Sequence, residues 1–235
     1  MASAAHAIPS RNLMASSQAA AQELWRTLEA ALHASATPDA PHPLLPPLRA
    51  LHAARQRLGD ILDPHAAALA DALQRLSNDA AAAAEGWPLA LELLSRWCAA
   101  PPVARLAGPS GPQGTQAAAQ RQEVLAAATG EVLRSLVRRR CPPAAVGPSV
   151  AFLGAAAAAS GSGGAALVAE ASKAAAGALV GLGPRLLDAA VLPTVLAGAA
   201  QLMEVAEALL SAPCPPPRGP RRTRSPRRAC KRSAR

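Results

Sequence analysis

Between residues 21 and 34 the chain reads AQELWRTLEAALHA, in which Leu24, Trp25, Leu28 and Leu32 fall on one face at helical spacing. Glu23, Arg26 and Glu29 sit at i, i+3 on the other face. After a Pro-rich break at 37–43, LLPPLRALHAARQRLGDIL places Leu48, Leu51, Leu58 and Leu62 on a stripe that ends at Asp63-Pro64. HAAALADALQRLS then gives Leu69, Leu73 and Leu76 inside, with Asp71 and Arg75 outside. GWPLALELLSRWCAA follows, and Pro88 suits the first turn of its helix. Beyond a Pro- and Gly-rich loop at 101–114, a long helix runs to EVLRSLVRRR, whose arginines suit a C-terminal dipole. Pro142-Pro143 stops it. The last third reads as VGPSVAFLGAAAAAS, GGAALVAEASKAAAGALVGLG, PRLLDAAV and LPTVLAGAAQLMEVAEALL. In the final helix Leu192, Val195, Leu196, Ala199, Leu202, Met203, Val205, Ala206 and Leu209 are expected to face inward, leaving Gln201, Glu204 and Glu207 as a polar stripe.

Composition sharpens that pattern. Of 235 residues 51% are apolar, yet the chain has one Phe, three Trp and no Tyr, and most of its apolar content is alanine. Alanine favours helix and buries little area, so a core made of it requires helices lying close together, and strand formers are scarce. The predicted class is all-α. Helices of this length, with Pro, Gly and Asp corners and no continuous heptads, predict stacked antiparallel pairs in a right-handed HEAT- or armadillo-like α-solenoid. Leu44, Trp87 and Arg185 serve as pair starts, the first two 43 residues apart. The organisation expected is a disordered leader at 1–15, a helical repeat domain at 16–212 and a disordered tail at 213–235. The Ala- and Ser-rich start, with no acid before Glu23, has some of the character of a transit peptide, but only one Arg.

Charge changes the picture only at one end. The net charge is +9, and 218–235 holds nine Lys or Arg and no acid, so the body is neutral by count. The residues are Arg218, Arg221, Arg222, Arg224, Arg227, Arg228, Lys231, Arg232 and Arg235. Their two clusters resemble a nuclear localisation signal, and SPRR resembles Ser-Pro-basic units that follow the A·T-rich minor groove. Ser225 is a candidate phosphosite, lying between Arg222 and Pro226, and its modification subtracts up to about two charges. The same Pro, Arg and Ala bias is also that of GC-rich sequence read in translation. The tail is read both ways. Within the body, Arg138-Arg139-Arg140 is a local basic patch.

Candidate chemistry is sparse. GSGGAA at 161–166 satisfies a loose G-x-G-x-x-A, but no parallel strands accompany it, so a helix-helix turn is expected. The five histidines lack HxxxH or HExxH spacing, and Cys98, Cys141, Cys214 and Cys230 form no CxxC pair. No metal, cofactor or catalytic residue is assigned, and the chain is read as a non-enzyme with reduced thiols, cytoplasmic or nuclear. The segment 141–169 carries no charge for 29 residues, but its Ala, Gly, Ser and Pro content favours buried helices over a transmembrane hairpin. Trp25, Trp87 and Trp97 are read first as core and second as partner anchors.

LGPRLLDAAVLPTVLAGAAQLMEVAEALL resembles a HEAT-type unit with a short first helix, a Leu-Pro corner and a long second helix. AQELWRTLEAALHA together with LRALHAARQRLGDILDPHAAALADALQRLS is similar to a stretch of nuclear transport receptors of the transportin-3 and importin-13 branch of the importin-β superfamily. It covers about 60 residues. That resemblance implies a curved solenoid that carries cargo through the nuclear pore and binds the GTPase Ran, with this chain a fragment or divergent member. The expected function is a protein-protein interaction scaffold, the partner being Ran or transport cargo if the resemblance holds. The alternatives are a nucleic-acid-associated protein acting through its tail and a membrane-associated helical protein.

Overall fold

The computed structural model describes residues 9–34, 41–56, 58, 61–100 and 112–211. Among these residues the chain is all-helical, without strands, and forms α1 (Pro9–His33), α2 (Leu45–Ala53), α3 (Asp63–Leu76), α4 (Ala80–Ala99), α5 (Pro112–Val137), α6 (Pro143–Ala159), α7 (Gly164–Leu182) and α8 (Leu192–Ser211). A 3-10 turn at Gly161–Gly163 joins α6 to α7, and a second at Gly183–Leu187 follows α7.

Several helix boundaries differ from the sequence expectation, each for a local reason. α1 begins at Pro9, inside the segment expected as a leader at 1–15, because proline suits a first turn and an Ala-rich run follows. α2 stops at Ala53, so Leu62 leaves the expected stripe and lies half-exposed in extended backbone before α3. α4 starts not near Trp87 but at Ala80, since Asp79 caps it by accepting from the Ala81 and Ala82 amides at 2.9 and 3.1 Å. Pro88 is therefore inside a helix that tolerates the loss of one backbone bond. PRLLDAAV forms only the second 3-10 turn, so the short first helix of the HEAT-type unit is absent.

Side-chain contacts fix the helix directions. The odd helices meet near their C-terminal ends: His33 lies with Arg75 and Asn78, Asn78 with Arg138, and Arg139 with Gly181 and Arg185. α2 and α4 run the same way, joined by a two-pronged ion pair of Arg49 with Glu85 and by Glu92, which takes His52 at 2.6 Å and Arg55 at 3.2 Å. α1 packs on α3, α3 on α5 and α5 on α7, while α2 packs on α4, α4 on α6 and α6 on α8.

α6 lies at the centre, touching α4, α5, α7 and α8. It carries no charged residue, and only Ala144 and Ala158 are exposed along it. A helix apolar on every side can be stable only inside other helices. Its crossing with α8 is made at backbone contact. A Cβ on Gly147 would overlap the Thr194 backbone and lie 2.7 Å from the Val195 nitrogen, and one on Gly198 would overlap the Gly147 carbonyl. Where helices approach this closely, even alanine is too large.

α5 ends in a Schellman turn. The Arg140 amide donates to Ser135 O at 3.0 Å and the Arg139 amide to Leu136 O at 3.1 Å. Arg139 sits at the left-handed position, φ 55°, where glycine is usual and any other residue costs roughly 1–2 kcal/mol. This turn separates Arg139, which lies toward α7, from Arg138 and Arg140, which lie toward α3.

Gly147→Ala and Gly198→Ala are expected to lower unfolding stability by about 1–3 kcal/mol through overpacking. Gly177→Ala, at a helical position with nothing near its absent Cβ, is expected to raise it by about 0.5–1 kcal/mol. Urea titrations followed by circular dichroism measure both.

Candidate interaction surfaces

The three tryptophans are placed in the core, so as folded they offer no surface to a partner. Each indole has a distinct role there. Trp87 donates from Nε1 to the Leu73 carbonyl at 3.1 Å, tying α4 to α3. Trp25 stacks flat on His65, centroids 4.5 Å apart and planes 1° from parallel. Trp97 donates to Asp63 Oδ1 at 2.9 Å and carries the Arg121 guanidinium 4.4 Å above its ring.

Arg121 closes a node between α3, α4 and α5. Its Nη2 donates to the Trp97 and Ala100 carbonyls at 2.8 and 3.1 Å, and its Nη1 lies 3.4 Å from Asp63 Oδ1. It thus adds a donor to carbonyls at the C-terminus of α4, where the Trp97 oxygen also accepts from the Ala100 amide at 3.2 Å, while sharing the carboxylate that Trp97 uses. Sequence spacing gives no sign of this node, because Arg121 lies 21 to 58 residues from the groups it binds.

Titratable groups elsewhere are muted. Burial pushes the Cys98 thiol up to about 12 and the Cys141 thiol up to about 11, so both are protonated and poorly nucleophilic at neutral pH. Burial also lowers the His65 pKa despite Glu29, whose carboxylate at 3.9 Å is too far for a hydrogen bond. Among the described residues no group of three His, Cys, Asp or Glu converges as a metal site. The GSGGAA stretch forms the 3-10 turn between α6 and α7 and the first residues of α7.

Two surfaces stand out. The first is the outer face of α8. Leu196, Met203 and Leu210, spaced seven apart, are 60%, 61% and 84% exposed. The expectation that Leu196 and Met203 face inward is corrected here: α8 packs on α6 and α7 through Val195, Gly198 and Leu202, and among the described residues nothing covers its other side. The interspersed Glu204 and Glu207 are exposed too, and α8 has no basic residue. By length and composition, Gly164–Leu187 and Leu192–Ser211 are apolar enough to cross a membrane, whereas the uncharged stretch singled out from sequence holds the buried α6. The second surface is the edge where the odd helices end, with cavities of about 530, 330 and 160 Å³ between successive ends. Arg75, Arg134, Arg138, Arg139, Arg140 and Arg185 gather along it.

Arg218, Arg221, Arg222, Arg224, Arg227, Arg228, Lys231, Arg232, Arg235 and Ser225 lie outside the described residues, as does the loop at 101–111. No family model, curated protein or solved structure matches the chain.

Arg121→Met keeps the stem over Trp97 but removes the donor to the Ala100 and Trp97 carbonyls and the cation beside Asp63, which still accepts from Trp97, and is expected to cost about 1–3 kcal/mol. Arg26→Met, which breaks only the exposed pair with Glu23, is expected to change stability by less than about 0.5 kcal/mol. Denaturant midpoints separate the two. Because His65 binds its proton less readily when folded, the unfolded chain takes up the proton first as pH falls through about 6.5. The His65 contribution is therefore complete above that pH and lost below it. His65→Phe, which retains a ring against Trp25, should flatten the fall in stability between pH 7 and 5; an unchanged pH profile would contradict this.

Proposed function

We propose that the chain is a non-catalytic scaffold of stacked helix pairs, HEAT- or armadillo-like in arrangement, that holds a protein partner. The observation that carries this reading is the order of packing, in which odd helices lie on odd and even on even, with the odd C-terminal ends along one edge. Stacks of this kind grow by adding a helix to each row, and a terminal unit needs a polar outer face to remain uncovered. Among the described residues α8 is the last helix of the even row, and Leu196, Met203 and Leu210 leave its outer face largely apolar.

The partner that fits is an amphipathic helix with basic residues beside its apolar stripe. It continues the row as α8 continues α6, filling the spaces between Leu196, Met203 and Leu210 and meeting Glu204 and Glu207. The same two acids disfavour an anionic membrane surface, which selects Lys- and Arg-rich helices. Carriage of cargo through the nuclear pore, with Ran as the switch and a cytoplasmic and nuclear location, is the narrower form of this reading, and it rests on the resemblance of 21–77 alone.

The test compares the full chain with a Leu196→Asp/Met203→Asp variant, whose changes are exposed and should leave the fold intact. A salt-resistant protein bound by the first and lost by the second is expected, and its binding segment should be helical, apolar and basic. Retained binding in the variant would overturn the reading. Concentration-dependent dimers, or flotation with phosphatidylcholine and phosphatidylserine vesicles, abolished by the same variant would assign the face to a second copy or a bilayer instead.

A further inference from the structure

We propose that the cavity between the ends of α3 and α5 is a binding site for a phosphate monoester dianion. It has a volume of about 330 Å³. Gln74, Ser77 and Asn78 line it from the α3 side, and Arg134, Ser135, Arg138 and Arg140 from α5. Glu131 is the sole acid of the lining and is already engaged by Arg134 at 2.7 Å, so the guanidiniums leave a formal excess of two positive charges, partly offset by the C-terminal dipoles of α3 and α5.

Three features distinguish this cavity from an ordinary basic patch. Arg138 and Arg140 have no acidic partner among the described residues. Their side chains are not needed for the Arg134, Ser135 and Leu136 carbonyls at the end of α5, which already accept from the Arg138, Arg140 and Arg139 amides. Ser135 is only 6% exposed, lines the cavity, and its hydroxyl makes no hydrogen bond among the described residues, although serines in helices commonly bond the carbonyl four residues back. A hydroxyl that makes no hydrogen bond, beside two guanidiniums without acidic partners, matches a tetrahedral oxyanion that accepts several charge-assisted bonds at once.

The monoester is favoured over a nucleic-acid backbone by charge and shape. A phosphorylated side chain brings close to two charges into one half-open cavity. A diester backbone brings one charge per phosphate along a line and requires an extended basic stripe, whereas the body of this chain is neutral by count. The inference stands on the cavity and does not depend on the scaffold reading.

Calorimetry on the full chain with inorganic phosphate, a phosphoserine peptide, its unphosphorylated twin and a short DNA duplex tests it. Any anion binding by the basic tail is common to every variant, so the informative component is the one that cavity variants alter. Saturable 1:1 binding of the phosphopeptide, persisting at physiological salt and absent for the twin, is expected. Arg138→Gln/Arg140→Gln should weaken it by tenfold or more, in order of magnitude about one charge-assisted bond per arginine. Ser135→Ala should weaken it several-fold without changing charge, and Arg26→Gln should not affect it. Phosphate binding that matches the peptide would make the free ion the source. Binding equal in wild type and cavity variants would overturn the proposal, as would duplex binding that is tighter and lost in the same variants.

Discussion

α6 and α8 cross at backbone contact because Gly147 and Gly198 carry no Cβ, and α4, α5 and α7 pack on the other sides of α6. Alanine and glycine bury little area each, so they stabilise only when helices approach closely enough for backbone to meet backbone. α6 meets this condition on all sides, touching four neighbours without a single charge. Dispersion contacts along the helix then replace the large side chains that the chain lacks.

The N-terminal half solves the same problem differently. There leucines and two fully buried indoles, Trp87 and Trp97, fill the volume, and each indole N–H must be satisfied as the ring is buried. Trp87 uses a backbone carbonyl of α3, and Trp97 uses Asp63. Arg121 adds a third helix to the second of these nodes, so a polar group specifies how α3, α4 and α5 meet where alanine would be indifferent to small slips. The Arg49–Glu85 pair between α2 and α4 is exposed and sets register more than it adds stability.

Helix content was legible from alanine and from Leu spacing, and Leu28, Leu69, Leu73 and Leu76 lie buried as their stripes predict. Termini were less legible. Asp79 outweighs Pro88 as a start signal because its side chain takes two amides at once, and nothing in periodicity weighs a cap against a proline. The outward turn of Leu196 and Met203 was illegible in principle: α8 is apolar on both faces, and only the positions of Gly147 and Gly198 decide which one packs. The arginine run 138–140 was visible as a patch, but its separation into a cavity and an opposite side depends on Arg139 taking a left-handed turn that no pattern marks.

The apolar α8 face and the basic helix-end edge sit on a body in which α6 is enclosed by four helices. An alanine-rich bundle without that close packing would keep its helices while losing fixed side-chain contacts. Native-state amide hydrogen exchange resolved by residue distinguishes the two. The account predicts that α6 amides between Val150 and Ala157 exchange most slowly, opening only with global unfolding, while the outer face and end of α8 exchange by local opening. Exchange of α6 as rapid as that of the α8 end would contradict it.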